Sequence, residues 1–167
     1  MIYLFICIVP SVDSIIDSSL ITQFGDAKGS AVAISNCLAL TAFHGICDVG
    51  DQINVITRTG KTRLALVVFV AFERDVVDIA VVKLVSIEDK FDFFVPPCMS
   101  RVRLEQSIHV VGLRETSRYS VDPYSIISNV LLIESESTLF HTSYYNFDGC
   151  SGTGVITTGL TATLLPV

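Results

Sequence analysis

The sequence predicts an all-β protein, and three observations carry that expectation. Valine, isoleucine, threonine and serine abound and tryptophan is absent, a bias toward residues that suit a pleated sheet better than a helix. Short apolar runs of about strand length recur along the chain, separated by breaks rich in Gly, Asn, Asp or Pro. Half of the 167 residues are hydrophobic and only 17% are charged, so the chain can bury a core and lacks a disordered composition. Many short strands with little helical period point to a sandwich or a barrel.

Taken in order, the chain begins MIYLFICIVP, nine mostly apolar residues before Pro10. Such a segment reads as a buried first strand or as the core of a signal peptide that would direct secretion. Flanking Lys or Arg and a small-residue cleavage site are missing, which favours the strand. It is too short to span a bilayer as a helix, and no other run is long enough. Strand-like runs follow at Ser30 to Ile34, Cys37 to Ala42, Gln52 to Arg58, Arg63 to Phe69 and Ile79 to Leu84. Further runs lie at Ser107 to Gly112, Tyr124 to Ile133, Thr138 to Ser143 and Gly154 to Thr157. Thr59-Gly60 reads as a tight hairpin turn. Between Ser86 and Ser100 the chain reads SIEDKFDFFVPPCMS, with charge, two adjacent prolines and no alternation. This resembles a surface linker. It divides the chain into residues 1–88, a connecting 89–99, and residues 100–167.

Composition narrows the partners. The net charge is -6 and no block of Lys or Arg occurs, which argues against nucleic acid. Five cysteines, an odd number without a CxxC pair, make a zinc site or a full disulfide framework a poor reading. Cys37 and Cys47 could pair in an oxidising compartment, although small buried thiols are common in cores. No metal or organic cofactor is implied, and the oligomeric state is open.

Three segments carry chemistry. In LALTAFHG an apolar strand runs into a small-residue turn ending on His44, held yet partly exposed, as a general base requires. In RDVVDIAVVKL, Asp78 stands directly before a fully apolar run, where a carboxylate needs hydrogen-bond partners. Asp75 competes with it but lies farther from that run. In FDGCSGTGVI, glycines surround Cys150 and Ser151, so that backbone N–H groups can converge on a developing oxyanion. Each alone is better explained as local structure. Together they stand in the order His, Asp, Ser.

These residues carry a resemblance. The chain resembles the trypsin-like peptidases of the chymotrypsin superfamily, nearest to the compact HtrA/Deg-type forms. GSAVAISNCLALTAFHG is similar to the family's glycine-serine strand followed by LTAAH. DIAVVKL is similar to its aspartate motif, QSIHVVGL to the opening strand of its second barrel, and GCSGTGV to its nucleophile loop. The resemblance implies two antiparallel six-stranded β-barrels and a serine-type endopeptidase acting on polypeptides; the 16 residues after Ser151 resemble the family poorly, which leaves the last strands of the second barrel open. His44 would be the base, Asp78 the orienting carboxylate and Ser151 the nucleophile, with the N–H groups of Gly149 and Ser151 as oxyanion hole. Cys150 stands where trypsins have an aspartate that pairs with a newly cut N-terminus. As a nucleophile Cys150 fits less well than Ser151, because the glycines of the motif align only when counted from Ser151. His141 and Tyr145 are candidates for the substrate pocket, while His109, inside a strand, reads as structural. The alternative is a catalytically inactive domain of the same fold that binds peptide or protein.

Overall fold

The structure is a computed structural model. It describes residues 12–42, 48–73, 77–96, 104–105, 107–117, 120–133, 140–142, 154–157 and 164–166. The all-β expectation holds: a single short helix, α1 (Val12–Ser18), accompanies eleven strands among the described residues.

The first six strands are β1 (Ser19–Phe24), β2 (Ala27–Ala33), β3 (Leu38–Thr41), β4 (Gln52–Thr57), β5 (Thr62–Glu73) and β6 (Val77–Leu84). They form a closed barrel in the order β1-β2-β3-β6-β5-β4. Every pairing is antiparallel, and β1 closes the barrel on β4 with Leu20 opposite Thr57. Alternation decides which side chains enter. Leu20, Ala31, Ala33, Ala39, Ile53, Val55, Ala65, Val67, Ala80 and Val82 form the interior. Half of these are alanines, which suits a narrow barrel whose facing side chains must share little space.

Local chemistry sets the turns. β1 and β2 are joined by the two-residue loop Gly25–Asp26, and Gly25 takes a φ of 59°. A two-residue hairpin needs such a positive φ at its first position, where glycine meets no Cβ clash. The expected turn at Thr59-Gly60 is present. Gly60 N–H donates to the Thr57 carbonyl at 2.9 Å, and Thr57 N–H donates to the Lys61 carbonyl at 2.9 Å. In β5 the register with β6 slips between Val67 and Phe69, leaving a bulge at Val68.

The remaining strands are β7 (Ser107–Ser117), β8 (Ser120–Ile133), β9 (Phe140–Thr142), β10 (Gly154–Thr157) and β11 (Leu164–Pro166). They form one antiparallel sheet in the order β11-β10-β7-β8-β9. Among the described residues this sheet is open.

A second apolar cluster fills the seam between barrel and sheet. Ile15 and Ile16 of α1, Ile21, Val32, Val95, Val111 and Leu113 are buried in it, with Ile34, Leu40 and Ile56 packed against them. Strands β1 to β3 are thus apolar on both sides. Leu20, Ala31 and Ala39 face the barrel, while their neighbours Ile21, Val32 and Leu40 face the seam. An ion pair between Lys28 on β2 and Glu115 on β7 crosses from one unit to the other. Arg58 reaches Asp17 of α1 at 2.6 Å. Ser18 and Ser19 donate their hydroxyls to the carbonyls of Ser14 and Ile15, each at 2.7 Å. Each bond reaches back one turn along the chain and satisfies the hydroxyl of a buried serine.

The segment after β6 carries no strand through Pro96, but it does not simply lie on the surface. Phe91 enters the barrel core and Val95 the seam. Their amides donate to the carbonyls of Asn36 at 2.7 Å and Ala33 at 3.0 Å. Sequence reading treats this stretch as a linker because its charges and prolines mask two buried anchors. The apolar N-terminal run expected to form the first strand lies outside the described residues, as does Cys47. Cys37 is a free, half-buried thiol. No helix among the described residues is long and apolar enough to cross a membrane.

Candidate active site

Asp78 is the second residue of β6 and is half-buried. It stands opposite Phe72 of β5. On its other side β6 pairs with β3, where Thr41 lies opposite Ala80. The exit of β3 therefore falls two residues along β6 from Asp78, at one rim of the barrel. Thr41 is buried, and its Oγ1 donates to the Ser30 carbonyl at 2.8 Å. That bond satisfies a hydroxyl on the inward row of β3 and fixes the last strand residue before the turn. His44 follows Thr41 by three residues, a reach of about 10 Å at most. His44 itself lies outside the described residues, as does Asp75.

The segment read as the nucleophile loop precedes β10 of the second unit in sequence. Gly149, Cys150 and Ser151 lie outside the described residues. Three residues after Ser151, Gly154 opens β10 and pairs with Val111 of β7. Val111 is fully buried in the seam, in the same cluster against which Leu40 of β3 packs. One apolar cluster thus holds Leu40 of β3 and Val111 of β7, the strand on which β10 pairs.

Of the remaining candidates, His141 lies in β9 opposite Leu132, and only its backbone is described. Tyr145 lies outside the described residues. His109 sits mid-strand in β7, opposite Ile156 and Ile127. Its Nδ1 is buried without a hydrogen-bond partner among the described residues. Its partner Ile156 lies two residues beyond Gly154 in β10, farther along the chain from Ser151. No group of three or more His, Cys, Asp or Glu among the described residues could hold a metal ion. Two neighbours of the candidate triad escape the sequence reading, Thr41 and Phe72. Alternation from Ala39 would have placed Thr41 on the inward row. Phe72 lies past the end of the run read as a strand, so its pairing with Asp78 has no local signal.

A closed six-stranded antiparallel barrel joined across an apolar seam to a second antiparallel sheet is the fold of the chymotrypsin-like serine peptidases. Solved structures of that kind superpose on the chain. A serine endoprotease from Yersinia pestis matches with a TM-score of 0.65 at 17% identity, covering 90% of this chain and 55% of the other. The chain thus spans little more than half of that protein. The protease domain of MamO from Magnetospirillum magneticum, in its apo form, matches with a TM-score of 0.63 at 15% identity, covering 92% and 93%. The Rv3671c protease, in an inactive form, matches with a TM-score of 0.63 at 12% identity, covering 95% and 88%. No family model and no curated protein matches the sequence. At these identities the likeness is one of fold.

Proposed function

We propose that the chain is a serine endopeptidase with His44, Asp78 and Ser151 as its triad. The observation that supports this reading is where the strands flanking the three segments lie. Asp78 and the exit of β3 lie at one barrel rim. Leu40, before His44, packs on the cluster that holds Val111, the partner of Gly154 beyond Ser151. His44 follows the end of β3 by three residues and Ser151 precedes β10 by three, which is the sequence spacing that supports the reading.

In this reading Ser151 Oγ attacks the peptide carbonyl while His44 takes its proton. The N–H groups of Gly149 and Ser151 receive the oxyanion, and Asp78 stabilises the imidazolium and fixes its tautomer. Collapse of the tetrahedral adduct breaks the C–N bond, and His44 passes the proton to the leaving amine. Water, activated by His44, then hydrolyses the acyl-serine. The unit of residues 1–88 supplies base and carboxylate, the unit of residues 100–167 the nucleophile.

A fluorophosphonate probe tests this. It should label the folded chain, and Ser151→Ala should abolish both labelling and peptidase activity while Cys150→Ala leaves them in place. Loss on Cys150→Ala with retention on Ser151→Ala would move the nucleophile by one residue. A folded chain that takes no label and cleaves no ester would overturn the reading in favour of an inactive, peptide-binding domain.

A further inference from the structure

Phe72 is an aromatic side chain in an unusual place. It pairs directly across β5 and β6 with Asp78, and its side chain is 54% exposed. Cross-strand partners project from the same face of a sheet with Cβ atoms about 5 Å apart. On that face the preceding residue, Val70, packs against the barrel core opposite Ala80. Phe72 and Asp78 therefore extend an inward row to the barrel rim, past the buried residues of the core. Phe69 provides the contrast. It is exposed to the same degree, 53%, but pairs with Val81 and projects from the opposite face.

Resting on the peptidase reading, we infer that Phe72 is a positioning residue that acts through Asp78. Its ring covers one side of the carboxylate and restricts its rotamers. A carboxylate with water excluded from one flank interacts more strongly with its hydrogen-bonded imidazole, because less solvent screens the charge. Phe72 touches no reacting atom in this account. Its effect is on how firmly Asp78 holds and polarises His44, so its loss falls on turnover and not on substrate binding.

The test is a double-mutant cycle on a small activated ester, with fluorophosphonate labelling rate as a second readout. Phe72→Ala should lower kcat about tenfold with KM within about twofold. Phe72→Leu, which keeps an apolar cover, should recover most of that loss. Phe69→Ala should leave kcat unchanged, with thermal unfolding showing all three variants folded. In an Asp78→Asn background Phe72→Ala should cost less than about twofold further, since the group it serves is gone. Additive losses in the two backgrounds, a loss confined to KM, or equal effects of Phe72→Ala and Phe69→Ala would each overturn this inference alone. A wild-type chain that neither labels nor turns over would overturn the peptidase reading, and this inference with it.

Discussion

Truncating Phe91 to alanine asks whether the segment after β6 belongs to the core of the first barrel. Phe91 is 5% exposed and sits in the cluster that fills that barrel, although charged residues and prolines surround it in sequence. Removing a buried phenyl ring loses its transfer free energy and leaves a cavity, together about 3–5 kcal/mol. The ring enters at the end of the barrel, where neighbours can partly collapse, so about 3 kcal/mol is expected. For a chain of this size each kcal/mol moves the melting temperature by about 2–4 °C, giving a drop of about 6–12 °C. Phe93→Ala is the matched control, because Phe93 lies two residues on and is 58% exposed. That change should stay within about 0.5 kcal/mol. Circular dichroism melts and urea titrations of the two variants give the comparison. Equal shifts, or a Phe91 variant that melts within about 2 °C of the parent, well below the expected drop, would refute the idea that this segment plugs the barrel.

Asp78→Asn should lower kcat by about ten-thousand-fold, the size expected when an amide imposes the wrong histidine tautomer, while Asp75→Asn should have a far smaller effect. Steady-state kinetics with equal losses at both positions would remove Asp78 from the triad. Trimming the chain up to Ser11 should not switch activity on, because Cys150 offers no charge to a new terminal ammonium. Ester hydrolysis that appears only after trimming, and vanishes when the new amine is acetylated, would contradict this. Ala33→Val adds two methyl groups to a fully buried barrel position and should destabilise by about 1–3 kcal/mol. A urea midpoint at or above the parent's would show that the interior has room to spare.

Most of the strands were readable because they alternate or are bounded by turn residues. The runs from Ser30, Cys37, Gln52, Arg63 and Ile79 each fall on β2 to β6 to within a few residues. The hairpin of β7 and β8 is longer than its two runs suggest, since Arg114, Glu115 and Asp122 interrupt the apolar pattern while the backbone pairing continues. Sequence reading missed β1 and α1 for related reasons. A seven-residue helix spans two turns, too few for a period to stand out. SLITQF in β1 has adjacent apolar residues because Leu20 and Ile21 are buried on opposite sides. At β11 the run Leu164–Pro166 is three residues long and ends on a proline, which gives no strand signal. The candidate site was read from three motifs and their order. Thr41 and Phe72 were not, because their roles depend on cross-strand partners 11 and 6 residues away in sequence.

Burial on both faces creates a register problem that β1 cannot solve alone. A slip of one residue would exchange Leu20 and Ile21, side chains of equal volume, and both positions would remain apolar. The register must come from elsewhere, and β2 supplies it. Its inward row is Ala31 and Ala33, and its outward residue is Val32. Exchanging them would force valine into the narrow barrel and leave a gap of two methyl groups in the seam where Val32 stood, so the two errors reinforce each other. The two-residue turn at Gly25–Asp26 then transmits that choice to β1, since Phe24 must face Ala27. The same register fixes β3, where Ala39 points inward and Leu40 outward. From Leu40 it is four residues to His44. The volume difference between alanine and valine on β2 thus settles which face of the next strand meets the seam, and with it where the chain leaves the barrel toward the candidate base.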